Sequence, residues 1–243
     1  MQFYYSLLNY IEETAPFISK YKSSYAKRII FQFHYSFAIP TDEAIRKINK
    51  LSIGKKIVEV GAGRGLWAFL LATLGTNITC YDNLSWFSNC EDLINLINYP
   101  YYPVTNQNHT DIDYSSFDIL LLIWPPRDLD NKMASETLSL FTGNILVYVG
   151  EIHEILKFED LSTPNPYKFD KDDYWVRMNK PAPKMNEGEL YIFPQTGDFE
   201  FHKILHEKWI MKEKISIPNL ISKRKKHMFN IEYKDAVYIF ERR

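Results

Sequence analysis

The sequence predicts an α/β protein built on a doubly wound, mostly parallel sheet, and three observations carry that prediction. From Lys55 onward, apolar runs of strand character alternate with helix signatures, the pattern of strands joined by crossover helices. One of these runs, Ile119-Leu120-Leu121-Leu122-Ile123, has no polar residue in it, as in a central parallel strand covered on both faces. The third is the stretch Ile57-Val58-Glu59-Val60-Gly61-Ala62-Gly63-Arg64-Gly65-Leu66-Trp67, which reads as strand, tight turn and helix start. Its glycines let the backbone turn sharply and come close to a ligand, because no Cβ blocks the approach. The helix that follows offers unpaired N–H groups and a positive dipole end. So compact a glycine turn after an acid-bearing strand points to a bound nucleotide-like cofactor.

Taken in order, residues 1–36 alternate aromatic and aliphatic groups (Phe3, Tyr4, Leu7, Leu8, Ile11, Phe17) with Lys and Ser. They read as one or two amphipathic helices ahead of the core domain. Lys20, Lys22, Lys27 and Arg28 form a weakly basic stretch, most simply a solvated helix face. Phe37–Ala44 then starts a helix: Thr41 serves as N-cap, and Asp42 and Glu43 suit the dipole of the first turn. That helix runs to about Leu51 and buries Ala44, Ile45 and Ile48. Ile57–Val60 is a strand, Leu66–Leu74 a helix ended near Gly75, and Asn77–Tyr81 a second strand followed by Asp82. Cys90–Ile97 is a helix. Tyr99–Val104, with two prolines and three tyrosines, suits an irregular edge or a short strand.

Asp118–Trp124 is the central strand, Met133–Phe141 a helix with Gly143 as its stop, and Ile145–Val149 another buried strand. From about His153 to Gln195 the alternation breaks, punctuated by Pro164, Pro166, Pro181, Pro183 and Pro194. The bland reading is a surface excursion, but loops this long in compact domains are more often functional than idle. Phe199–His206 reads as a helix. Trp209–Ile217 and Asp235–Glu241 read as an antiparallel pair of strands, connected through the basic run Lys223-Arg224-Lys225-Lys226-His227. The organisation expected is a helical segment over 1–52 and one domain over 53–243, with an insertion at about 152–195.

A chain of 243 residues with 46% hydrophobic side chains is long enough to bury its own core. Its net charge of −1 lacks the global footprint of a nucleic-acid binder, though a local patch such as Lys223–His227 leaves that partner open. Cys80 and Cys90 form neither a disulfide framework nor a zinc pattern, which suits a reducing compartment. No apolar run is long enough to cross a membrane, and Glu12 and Glu13 interrupt the amino end. A soluble, cytoplasmic protein is the expectation. His109, His153 and His202 lack metal-ligand spacing, and no metal is expected.

Asp82 stands at the end of the strand that follows the glycine turn, where a carboxylate accepts both ribose hydroxyls of an adenosine. A nicotinamide-binding domain uses the same logic. Its fingerprint is GxGxxG, however, and here the third glycine, Gly65, comes one residue sooner. At these residues the chain resembles class I S-adenosylmethionine-dependent methyltransferases: Val58 to Gly65 is similar to their first motif, and Asp82 to their second-strand acid. The resemblance extends to a branch whose members carry similar segments at Phe37–Ala44, Trp67, Trp124-Pro125-Pro126, Met133–Leu138, Val149-Gly150-Glu151 and Thr196–Phe201. It implies a seven-stranded Rossmann-like sheet whose antiparallel end is the Trp209–Ile217 and Asp235–Glu241 pair. It also implies S-adenosylmethionine as cofactor. Glu59 would lie near the methionine amino group or order the loop, Gly61, Ala62, Gly63 and Gly65 would pass close to the cofactor, and Asp82 with Asn83 would hold the ribose. The adenine would lie near Asn106 to Asp111.

The residues expected at the reacting centre are Trp124, Pro125 and Glu151. Methyltransferases acting on adenine-like nitrogens resemble [DNS]-P-P-[YF] where this chain has Trp124-Pro125-Pro126-Arg127. Trp124 replaces the amine-binding side chain and Arg127 the stacking aromatic. The Pro125 carbonyl is left to accept an amine proton, and Trp124 to stack on a flat substrate or on the cofactor; otherwise the prolines simply end the strand. Glu151 follows a buried strand and suits a general base, an orienting group, a salt bridge or a cap. The methyl acceptor, an N or O of a small molecule, protein or nucleic acid, is not specified. Two other readings stand beside methyl transfer: a catalytically silent cofactor-binding subunit, and an NAD-dependent oxidoreductase.

Overall fold

The computed structural model describes residues 35–85, 100–126, 131–152, 154–157, 189–192, 196–217 and 235–243. The amino-terminal helices, the Cys90–Ile97 helix, Arg127 and the basic run Lys223–His227 lie outside the described residues. The helices are α1 (Asp42–Leu51), α2 (Leu66–Thr73), α3 (Met133–Leu140) and α4 (Phe199–Lys208). The strands are β1 (Lys56–Val60), β2 (Asn77–Asp82), β3 (Val104–Asn106), β4 (Ile119–Ile123), β5 (Ile145–Gly150), β6 (Glu154–Lys157), β7 (Glu189–Ile192), β8 (Trp209–Ser216) and β9 (Ala236–Arg242).

Seven of these strands form one sheet in the order β3-β2-β1-β4-β5-β9-β8, so the fold is the doubly wound α/β sheet that the sequence predicts. β1 pairs in parallel with β2 on one side and β4 on the other. The direction of winding therefore reverses between β1 and β4, and ligands of open α/β sheets bind beside the carboxyl ends of strands at such a point. The side chains of each strand alternate between two cores. Ile119 and Leu121 join Ile48, Trp67, Leu71, Val147 and Ile239 on the α1–α2 face. Leu120 and Leu122 join Leu138, Phe141, Tyr148, Phe201 and Tyr238 on the α3–α4 face. Thr41 caps α1 as expected, its hydroxyl accepting the Ala44 N–H at 3.2 Å, and Ala44, Ile45 and Ile48 are buried.

Four details differ from the sequence reading. Only β9 runs against the other strands of this sheet; it pairs antiparallel with β5 and with β8, so β8 is parallel to the rest. The reason lies in their composition: Ala236–Phe240 is buried throughout and needs a neighbour on each side, whereas the half-polar β8 is mostly exposed, as an edge strand should be. Second, the edge strand begins only at Val104 and runs to Asn106, because Pro103 has no N–H to donate to a ladder. Third, the excursion after β5 leaves and returns through a two-stranded antiparallel ribbon, with Glu154 opposite Ile192 and Lys157 opposite Glu189.

Fourth, Gly143 is not the stop of α3, which ends at Leu140 with Phe141 already extended (φ −66°, ψ 125°). Gly143 sits where the chain presses against the segment entering β4. A Cβ there would lie 2.8 Å from the Phe117 carbonyl oxygen and 2.9 Å from that of Asp118, closer than van der Waals contact allows. Among the described residues no helix is long and apolar enough to cross a membrane. Gly143→Ala should lower the free energy of unfolding by about 1–3 kcal/mol, the usual cost of overpacking; a denaturant midpoint equal to that of the unsubstituted protein would count against the close approach.

Candidate functional site

The site is built around the turn between β1 and α2. Gly61, Gly63 and Gly65 all lie in the left-handed region, at φ +72°, +56° and +75°, which residues with a Cβ rarely adopt. A Cβ on Gly65 would also crowd Tyr102, 3.0 Å from its Cβ, whereas one on Gly63 would meet nothing within 4 Å. Space beside the loop is therefore open at Gly63. The Gly61 and Ala62 amides donate to the Tyr81 carbonyl at 2.9 and 3.2 Å, which lays the loop against the end of β2. Tyr101 flanks it, its N–H donating to the Arg64 carbonyl at 2.8 Å and its ring lying 4.7 Å beneath the Arg64 guanidinium. Gly65, the N-cap of α2, offers no capping side chain, so the helix presents N–H groups at the loop.

Asp82 closes this turn. Its Oδ2 accepts the Gly63 N–H at 2.8 Å and its Oδ1 accepts the Leu84 N–H at 2.7 Å. Leu84 is itself left-handed at φ +56°, held there by the second bond. Burial raises the Asp82 carboxyl above its ordinary range, although both N–H donors act the other way. Each oxygen keeps a second lone pair, so the carboxylate can receive hydroxyl donors while it holds the loop. Asn83 is exposed and turned outward: its amide donates to Asn108 at 3.4 Å and its oxygen receives Ser85.

Of the two roles expected for Glu59, ordering the loop is the one its contacts support. It is 2% exposed, accepts the Ala68 N–H in the first turn of α2 and receives the Cys80 thiol at 3.6 Å. Burial pushes its carboxyl up to about 8 and pushes the Cys80 thiol up as well. Glu59 is thus a neutral strut beneath the glycine turn.

The other half of the edge is made by β4, β5 and the segment before α4. Trp124 follows β4 at φ +50°, a costly conformation for a bulky residue, on the order of 1–3 kcal/mol. Its N–H donates to the Val149 carbonyl at 2.7 Å, its indole Nε1–H donates to Asp235 Oδ1 at 2.8 Å, and its ring stacks on Phe37 at 5.7 Å. The next residue of that segment, Ala38, accepts the Trp67 indole N–H at 3.2 Å, which roofs this end of the sheet with Phe37–Ala38. The Pro125 carbonyl, expected to receive an amine proton, already receives the Gly197 N–H at 2.9 Å.

Glu151 lies at the carboxyl edge as expected, 5% exposed. Its backbone is tied into a closed ring: its N–H donates to Thr196 Oγ1 at 2.9 Å, the Thr196 hydroxyl pairs with Tyr148 Oη, and Tyr148 donates to the Glu151 carbonyl at 2.8 Å. Gly150 is required here, because a Cβ would press on Thr196 Oγ1 and on Tyr148 Oη. Burial raises the Tyr148 phenol well above its usual range, which keeps it a donor. His202 donates Nε2–H to the Thr196 carbonyl at 2.8 Å, and burial holds its imidazole at about 4, neutral. Asp198 caps α4 through Phe201 N–H and takes the Ser135 N–H of α3 with its other oxygen.

The structure therefore brings the glycine turn, Asp82, Trp124, Pro125 and Glu151 to one edge of the sheet, and leaves Asn83 on the surface. Sequence reasoning named Thr196 only within the Thr196–Phe201 segment, His202 only as lacking metal-ligand spacing and Asp235 only as the start of a strand, and gave Tyr148 no role. Asp235 was detectable only as an acid immediately before an apolar strand.

No protein-family model matches this chain, and no curated protein matches it significantly. Among solved structures, one similar to it is magnesium protoporphyrin IX methyltransferase from Synechocystis PCC 6803 with bound SAH, at 11% identity over 83% of each chain, with a TM-score of 0.42. TehB from Haemophilus influenzae is similar at 14% identity over 84% of this chain and 63% of that one, with a TM-score of 0.44. A third is 1,6-didemethyltoxoflavin-N1-methyltransferase from Burkholderia thailandensis, at 13% identity over 83% and 79%, with a TM-score of 0.39.

Glu59 makes stability depend on pH with a definite sign. Its carboxyl titrates at about 8 in the folded chain against 4.5 ordinarily, so the folded state holds a proton that the unfolded state releases. Its contribution is complete below pH 4.5 and is lost as pH rises toward 8. His202 acts oppositely, its contribution disappearing as pH falls from 6.5 toward 4. His202 opposes this less and less above pH 6.5; from pH 7.5 to 8 the unfolding free energy should fall at about 1 kcal/mol per pH unit, and Glu59→Gln should flatten that decline. Parallel urea-denaturation curves for the two proteins across this window would refute the assignment.

Proposed function

We propose that this chain is a class I S-adenosylmethionine-dependent methyltransferase acting on an N or O of its acceptor. The observation that carries the reading is the bond between the Gly63 amide and Asp82. It sets a glycine turn, the start of α2 and a buried carboxylate side by side at the reversal point of the sheet, an arrangement that suits a ribose. The open space at Gly63 suits the aminoacyl and ribosyl parts of that cofactor, with Gly61, Ala62, Gly63 and Gly65 facing it and Asp82 receiving the ribose hydroxyls. The early third glycine, Gly65, favours it over NAD. When bound, S-adenosylmethionine supplies an activated methyl group on a sulfonium. The chain's task is then to align a nucleophile and keep water out, which Trp124 and the buried Glu151 serve from β4 and β5.

One observation favours the silent-subunit reading. Trp124 brings no acceptor for an amine to the β4 edge, its indole N–H donating to Asp235, and the Pro125 carbonyl already receives the Gly197 N–H and keeps one lone pair. Incorporation of labelled methyl into RNA, protein or metabolite fractions of a cell extract separates turnover from silent binding.

Calorimetric titration with S-adenosylmethionine and with NAD tests the cofactor. Binding of the former alone is expected, and binding of NAD alone would sink the proposal. Asp82→Ala should weaken S-adenosylmethionine binding about 10- to 100-fold, the worth of a charged hydrogen-bond acceptor. Circular dichroism should show the fold retained.

A further inference from the structure

Trp124 is an outlier held from three directions. Its backbone is left-handed at φ +50°, its N–H is fixed to Val149 of β5 at 2.7 Å, and its ring is backed by Phe37 at 5.7 Å with an interplanar angle of 23°. The third restraint comes from the far end of the chain. Asp235, 3% exposed, accepts the indole Nε1–H at 2.8 Å. Because β9 runs antiparallel, its beginning and not its end lies at the carboxyl edge. The ladder's last pair there is Gly150 with Ala236, so Asp235 and Glu151 occupy the next register position.

A side chain kept in a costly conformation at a ligand edge is one whose orientation matters. The backbone bond fixes the main chain and the Phe37 stack backs one face of the ring. The hydrogen bond to Asp235 sets the rotation of the indole about χ2. On the methyl-transfer reading, on which this inference rests, we propose that Asp235 is the positioning residue of the acceptor side. It acts through Trp124, fixing the indole as a rigid wall against which the acceptor is aligned. A wall displaced by about 1 Å costs on the order of 100-fold in rate without altering cofactor binding.

The test combines three readouts on the full chain. The Trp124 indole N–H resonance, identified by its loss in Trp124→Phe, reports the bond. Calorimetry with S-adenosylmethionine reports the cofactor side. Incorporation of labelled methyl from S-adenosylmethionine into cell-extract fractions reports transfer. Asp235→Ala is expected to shift the resonance and speed its solvent exchange, to lower incorporation at least tenfold, and to leave cofactor affinity within about threefold. Asp235→Asn, which keeps an acceptor oxygen, should restore the resonance and most of the incorporation. In a Trp124→Phe background, Asp235→Ala should add less than a threefold loss. An equal loss in that background, unchanged incorporation, or a parallel loss of cofactor affinity overturns the proposal. If Asp235→Ala does not fold, Asp235→Leu carries the same comparisons. An unsubstituted protein that does not bind S-adenosylmethionine overturns the underlying reading. One that binds it yet labels no fraction overturns a part in transfer.

Discussion

The hydrogen bond from the Gly63 amide to the Asp82 carboxylate fixes where the glycine turn lies, and the rest of the carboxyl edge is arranged about that position. Three left-handed residues in a span of five would be a floppy linker on their own, since glycine loses the most conformational freedom on ordering. Here the span is held from several sides. Tyr81 takes two of its amides, Glu59 reaches from beneath to the first turn of α2, and Tyr101 binds the Arg64 carbonyl. The restraints satisfy much of the loop's own polarity, and Glu59 takes the Ala68 N–H, so Gly65 itself adds no capping side chain over the start of α2. A buried, neutral Glu59 suits this arrangement. An ionised one would place a second negative charge behind Asp82.

A different kind of restraint builds the opposite half. There the backbone of Glu151 is gripped by a ring of hydroxyl bonds through Thr196 and Tyr148, and Asp198 joins the starts of α3 and α4. Segments 45 residues apart or more in the chain thereby share one set of bonds, 45 for Glu151 and Thr196 and 48 for Tyr148 and Thr196. The chain leaves this edge after β5 and is back at it by Thr196, so the ring ties the two ends of that stretch together.

What the sequence disclosed about this edge was local. The glycine turn, the Thr41 cap, the unbroken β4 and the position of Asp82 each depend on a few neighbouring residues whose spacing dictates a conformation. What it did not disclose depended on pairing across the chain. The insertion of β9 between β5 and β8 follows from the burial of Ala236–Phe240, which only a two-sided neighbourhood satisfies. Gly143 is a matter of contact with Phe117 and Asp118, although a glycine two or three residues after a helix reads as its stop. The Pro125 carbonyl looked free because its partner, Gly197, lies 72 residues on. The part Asp235 plays went unnoticed because a lone acid before a strand carries no periodicity.

These distant pairings alter what the β4 edge offers an acceptor. In a chain where that edge recognises an amine, a polar side chain and a free carbonyl receive its protons. Here Trp124 turns its one donor to Asp235, and the Pro125 carbonyl is left with one lone pair beside the bond from Gly197, so the indole face is the largest surface that the β4 end contributes. An apolar wall is compatible with methyl transfer, because the sulfonium supplies the electrophile and a dry, aligned nucleophile is what remains to be provided. It does shift recognition of the acceptor's polar groups elsewhere. On the proposed methyl-transfer reading, orienting or deprotonating the acceptor's nucleophile falls to Glu151, and Trp124 contributes shape. The left-handed backbone of Trp124 is the structural cost of holding that ring at the end of β4.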